Sequence, residues 1–146
     1  MDSRSVDELD APRLRLVLAM AHADAVGLGI SMESFSVDWA VKQVLAGKVR
    51  GLWISDHTLL LYGITYSCWH SPSLCVLHEL LLYKYNHAKR NTFRETLAAL
   101  DDLALTEGAQ FISVGNTLTN KPEAVRRMYL RSGYKDVAAT LIKETA

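Results

Sequence analysis

The chain has 146 residues, 49% of them apolar, and its formal charges cancel to zero. That length suits one domain with a sizeable core, and the zero net charge argues against a general nucleic-acid binder, which would carry a basic excess. No apolar run approaches the roughly 18 residues of a membrane helix, and the polar start Met1-Asp2-Ser3-Arg4 lacks the apolar centre of a signal peptide. The expectation is a soluble cytoplasmic protein with no membrane or nucleic-acid partner, in which Cys68 and Cys75 stay reduced.

Residues 1–10 are polar and read as a frayed start. Asp10-Ala11-Pro12 reads as a cap followed by a first-turn proline. Leu14, Val17, Leu18, Ala21 and Ala25 then mark one face of a helix ending near Gly27 or Gly29. Ser34 or Ser36 caps a second helix, whose inner face is Val37, Ala40, Val41, Val44 and Leu45 and whose terminator is Gly47. Leu52–Ile54 and Thr58–Trp69 read as a hairpin turning at Asp56-His57. After a turn at residues 70–73, Leu74–Tyr83 is a nearly continuous apolar run, the pattern of a strand covered on both faces. Asn91–Glu107 is a helix stopped by Gly108, Gln110–Val114 a strand, Lys121–Ser132 a helix stopped by Gly133, and Tyr134–Lys143 a closing strand.

This order predicts one α+β domain over residues 1–146, a mixed and mostly antiparallel sheet with helices on both faces. The Leu74–Tyr83 and Gln110–Val114 strands should be parallel, joined by a right-handed crossover through the third helix. The stretch Leu74–Gly108 organises the rest. It runs from a buried strand through a basic loop (Lys84, Lys89, Arg90) into a helix start, where free N–H groups and the helix dipole attract anions. An ordinary crossover with a solvated basic turn has the same pattern.

The last forty or so residues are more specific. Ala109–Val114, Ala124-Val125-Arg126-Arg127-Met128-Tyr129-Leu130-Arg131-Ser132-Gly133-Tyr134 and Leu141-Ile142-Lys143 resemble the C-terminal half of the GNAT superfamily of N-acetyltransferases. The resemblance covers residues 50–146 and implies a GNAT-like acyl-CoA N-acyltransferase fold in α/β/α layers. It places acetyl-CoA at the central strand–loop–helix and opens a V-shaped cleft between the two parallel strands. The chain departs from the family at its phosphate loop, Arg/Gln-x-x-Gly-x-Gly/Ala, where Asn91 and Phe93 take the glycine positions. Phe93 would crowd a phosphate there or force another loop path. Such a divergent member has parallels among phage-encoded relatives.

Acetyl transfer to an amine needs a base for the ammonium proton and an acid for the departing thiolate. The resemblance assigns these to Glu79 and Tyr129. It puts the pantetheine arm on the Leu81-Leu82 backbone, the phosphates at Lys89, Arg90, Asn91 and Thr92, and the turn asparagine at Asn120, with Asn116 as the alternative. The competing readings are a structurally paired Glu79 and a core Tyr129. His78 is the rival base, but neighbouring strand residues face opposite sides, so it cannot share a site with Glu79. Cys68, His70, Cys75 and His78 have a spacing that suggests zinc, yet on a regular strand Cys75 and His78 diverge, so no metal is expected. The function read from the sequence is an acetyl-CoA-dependent N-acetyltransferase acting on a small-molecule or protein amine. The alternative is a GNAT-shaped binding or structural protein whose coenzyme site has decayed.

Overall fold

The computed structural model describes residues 3–30, 34–67, 69–115, 117–137 and 143. The elements are β1 (Ser3–Ser5), a 3-10 turn (Glu8–Asp10), α1 (Ala11–Gly27), α2 (Val37–Leu45), β2 (Arg50–Ile54), β3 (Thr58–Thr65), β4 (Val76–Lys84), α3 (Phe93–Glu107), β5 (Phe111–Ser113), β6 (Thr117–Leu118) and α4 (Pro122–Arg131). The sheet runs β1-β2-β3-β4-β5, with β6 also on β4. Its first four strands are antiparallel neighbours, and β5 and β6 pair with β4 in parallel.

Alternation along the strands builds a core on each face. Trp53, Leu59, Leu61 and Tyr83 meet Leu14, Val17 and Leu18 of α1 and Val41 and Val44 of α2. Leu52, Ile54, Leu60, Leu77 and Leu82 meet Ala99, Leu100 and Ala104 of α3 and Tyr129 of α4. The architecture is the expected mixed, mostly antiparallel sheet between helical layers. Among the described residues no helix is long and apolar enough to cross a membrane.

Several boundaries differ from the sequence expectation. Ser36 caps α2, its side chain accepting from Trp39 N. β3 stops at Thr65, β4 starts at Val76 and α3 at Phe93. Tyr134–Val137 is not strand, and 138–142, the rest of the expected closing strand apart from Lys143, lies outside the described residues.

The largest correction is at the start of the chain. Ser3–Ser5, expected to fray, pairs with Leu52–Ile54. No apolar pattern announces this exposed edge strand. Polar bonds tether it: Arg4 reaches Asp10 through two hydrogen bonds of 2.9 and 2.7 Å, and Asp7 N donates to the same carboxylate at 2.9 Å. Asp10 is the expected cap of α1, but its side chain makes no such bond. Gly51 leaves room for this edge, since a Cβ there would stand 2.7 Å from Val6 Cγ2.

The sheet carries one irregularity that bears on the site. Leu61 pairs with Leu81 but Tyr62 with Glu79, so Leu80 has no partner on β3. This bulge inverts the alternation along β4. Leu77 and Leu82, an odd number of residues apart, both face α3.

The hydrogen bond from Arg4 holds the Asp10 carboxyl below the ordinary carboxylate range, against the opposing effect of burial. A lowered native pKa stabilises the fold above the unfolded value of about 4, and this stabilisation is lost as the pH falls below it. In urea titrations, Asp10→Asn should lower stability at pH 7 and flatten the decline below about pH 4.

Candidate active site

Glu79 comes directly after the last β4 residue paired with β5. Val76–His78 pair with Phe111–Ser113, and Leu82–Tyr83 with Thr117–Leu118. Between these short ladders, Val114 and Gly115 belong to no strand. The buried Glu79 carboxyl occupies the gap. Its Oε1 accepts from Gly115 N at 3.1 Å, and Oε2 from Tyr129 Oη at 3.0 Å and Thr117 Oγ1 at 3.3 Å. Tyr129 Oη and Thr117 Oγ1 lie 3.2 Å apart, closing a triangle.

The structure thus joins the two residues expected to carry chemistry. His78 pairs with Gly63 and Ser113 in the ladder and takes no part in these bonds. The expected V-shaped opening takes a different form. The strands part after His78, then meet again at β6, because Gly115 and Thr117 are drawn to the Glu79 carboxyl.

Tyr129 is packed edge-on by Phe93 and Tyr134, at 5.0 and 4.9 Å between ring centroids. Burial, then the nearby Glu79 carboxylate, raises its pKa far above the ordinary phenol value. The Tyr134 hydroxyl, pushed up to about 12 mainly by burial, has no hydrogen-bond partner among the described residues.

A cleft of about 830 Å³ lies beside this pair, where the end of α1, the end of β4 and the starts of α3 and α4 converge. Its size suits a cofactor-sized ligand. Leu82, Asn91, Thr92 and Asn120 line it, as do Lys84 and Lys121. Leu81, Lys89 and Arg90 do not. Leu81 packs toward the α1–α2 core because of the bulge, Lys89 Nζ is 3.5 Å from Asp56 Oδ2, and Arg90 is exposed. Asn116 and Cys68 lie outside the described residues. No group of three or more His, Cys, Asp or Glu among the described residues could hold a metal ion.

The altered loop keeps a glycine-like path. Asn91 has φ +55°, and asparagine tolerates this left-handed region better than most residues. Phe93 packs its ring on Tyr129 while its backbone begins α3.

The hairpin turn, which the sequence marks only as a turn, grips this loop. His57 O accepts from Tyr85 N at 2.9 Å and Asn86 N at 3.3 Å, and Asp56 O accepts from Asn86 Nδ2 at 3.3 Å. The buried His57 ring places Nδ1 2.6 Å from Thr58 Oγ1 and Nε2 3.1 Å from Glu95 Oε2, in the first turn of α3. The one sequence signal for this role is a histidine in a turn, which is too common to point to it.

No family model and no curated protein matches the sequence, but solved structures do. A ribosomal-protein-alanine N-acetyltransferase from Brucella melitensis biovar Abortus 2308 superposes with TM-score 0.67 and 13% identity, over 99% of this chain and 100% of that one. A predicted acetyltransferase from Clostridium acetobutylicum, solved with acetyl-CoA, gives TM-score 0.65 and 13% identity over 98% and 95%. An aminoglycoside acetyltransferase from an uncultured soil metagenomic sample gives 0.67 and 12% over 99% and 98%. At such identities the likeness is one of fold: the chain has the GNAT acyltransferase fold.

The left-handed Asn91 sets up a stability test. Asn91→Gly should be at least as stable as wild type, and Asn91→Ala should lose about 1 kcal/mol in urea unfolding, because alanine is disfavoured at positive φ.

Proposed function

We propose that the protein is an N-acetyltransferase of the GNAT type, transferring an acetyl group from acetyl-CoA to an amine of a small-molecule or protein acceptor in the cytoplasm. The observation that carries this reading is the Glu79–Tyr129 hydrogen bond at the strand gap, beside a cleft bounded by helix N-termini. The residues fit the phosphate end of the coenzyme. Asn91 and Thr92 lead into α3, and Lys84 and Lys121 supply charge. The fold neighbours named for ribosomal-protein and aminoglycoside acetylation support both kinds of acceptor.

When bound, acetyl-CoA would supply the thioester whose acetyl group is moved. Glu79 takes one proton from the acceptor ammonium at Oε2 and passes it to solvent. Tyr129 Oη gives its proton to the leaving sulfur and regains one when the nitrogen loses its second proton on becoming an amide. The two steps are coupled. The Glu79 carboxylate helps hold the Tyr129 pKa up, so Glu79 carrying a proton makes Tyr129 the better donor.

A second reading is favoured by one observation. Leu82, one of the two residues where the coenzyme arm would pair, is already paired with Thr117, and the next residue, Tyr83, with Leu118. A GNAT-shaped binding protein without coenzyme would look the same. Calorimetric titration with acetyl-CoA separates the two readings. Binding weakened by about 1 kcal/mol in Lys84→Ala and in Lys121→Ala supports the transferase. Tyr129→Phe should leave affinity no weaker and lower kcat by about a hundredfold or more, as expected for loss of an acid acting in the transition state. No detectable binding, even at low salt, would leave the binding protein as the better reading.

A further inference from the structure

Half of the place expected for the coenzyme arm, at Leu82, is filled by the chain itself. β6 is two residues long and pairs with β4 at Leu82 and Tyr83. Thr117 has cleft on one side and, on the other, the Glu79 and Tyr129 oxygens at 3.3 and 3.2 Å. Neither Glu79 nor Tyr129 lines this cleft, whereas Tyr129, with Gly115 and Thr117, lines a second cavity of about 860 Å³ between β5 and α4. β6 therefore separates the proton-handling pair from the space where a thioester would arrive. Its attachment is slight, because Val114 and Gly115 just before it pair with no strand, and space for a Cβ at Gly115 is open to 4 Å. A two-residue, half-buried ladder, packed on the α1–α2 core through Leu118, is the kind of element that opens locally, below the free energy of global unfolding.

We propose that β6 is a strap: this structure is its closed form, and Thr117–Leu118 must unzip from Leu82–Tyr83 for the arm of acetyl-CoA to enter and for its thioester to reach Glu79 and Tyr129. The proposal rests on the acetyl-CoA reading. Glu79 is the catch. Its carboxyl holds Gly115 and Thr117 while the strap is shut and is turned toward proton transfer when the strap opens. The base is thereby kept from solvent while the cleft is empty. Apparent coenzyme affinity is reduced by the fraction of molecules that are open.

Hydrogen exchange and binding kinetics on the full chain test this. Excess acetyl-CoA should speed exchange at the Thr117 and Leu118 amides and leave the Val76–His78 and Phe111–Ser113 ladder protected. The observed binding rate should level off at high coenzyme, at the rate of opening. Thr117→Val removes one latch bond while keeping the side chain's shape. It should tighten apparent binding by about tenfold, the equivalent of one hydrogen bond to a charged acceptor, and raise the plateau rate. Binding with unchanged Thr117–Leu118 exchange and a rate that rises linearly overturns the strap and leaves the transferase reading standing. No binding to wild type or to a folded Thr117→Val whose strap amides exchange freely overturns the transferase reading, and the strap with it. If Thr117→Val does not fold, exchange and kinetics of the wild type decide alone.

Discussion

The site depends on one buried carboxyl. Burying Glu79 is costly unless its oxygens are well bonded. The donors it takes come from the segment after β5, from β6 and from α4. Their ladders to β4 are short, three paired residues from β5 and two from β6, and the rest of their attachment is apolar packing through Ile112, Val114, Leu118, Val125 and Tyr129. The bulge at Leu80 comes immediately after Glu79 and reverses the inside–outside order of the rest of β4. Without it, Leu82 could not face α3 while Tyr83 faces α1, and β4 would not both close a core and line a cleft.

The two sides of the cleft are held by different means. On the side of β4 and α3, the hairpin turn fixes the loop through backbone carbonyls and through His57, both of whose ring nitrogens have partners. A buried histidine with both nitrogens bonded fixes the start of a helix more firmly than a solvated side chain would. On the side of β6 and α4, the attachment is the two-residue β6 ladder and the Glu79–Thr117–Tyr129 triangle, backed by the Phe93 and Tyr134 rings. The first side is held by a long antiparallel ladder, whereas the second has only two paired residues in the sheet and depends more on side chains. Movement within the site is therefore expected on the second side.

The parts of the fold legible in the sequence are those where burial leaves a strong local signal. The helices show their period because one face of each is buried, the strands β2 to β4 show continuous apolar runs because both faces are, and the parallel crossover is implied by their order. β1 is not legible because three exposed polar residues carry no pattern, and it is fixed by an ion pair between Arg4 and Asp10 across a 3-10 turn. Glu79 and Tyr129 can be singled out by resemblance, but their mutual hydrogen bond is a long-range contact that no local spacing encodes. Lys89 looks like a phosphate ligand because it sits in a basic loop, yet it is paired with Asp56. The cations at the cleft are Lys84, at the end of a strand, and Lys121, at the start of a helix, two positions that only the fold brings together.

Glycine loss in the phosphate loop, read from the sequence, suggests a blocked coenzyme site. The backbone gives a different account. Asn91 adopts the positive φ that glycine would have supplied, and Phe93 packs edge-on against Tyr129 while still lining the cleft. Part of the expected path, at Leu82, is filled by a segment remote in sequence: two residues of β6 paired to the end of β4. Steric bulk in a loop can be removed only by mutation, whereas a two-residue ladder can open and close in the native protein. On the strap proposal, β6 joins Phe93 as an obstacle at the cleft, and its part is a conformational equilibrium whose position depends on how firmly Glu79 holds Thr117 and Gly115.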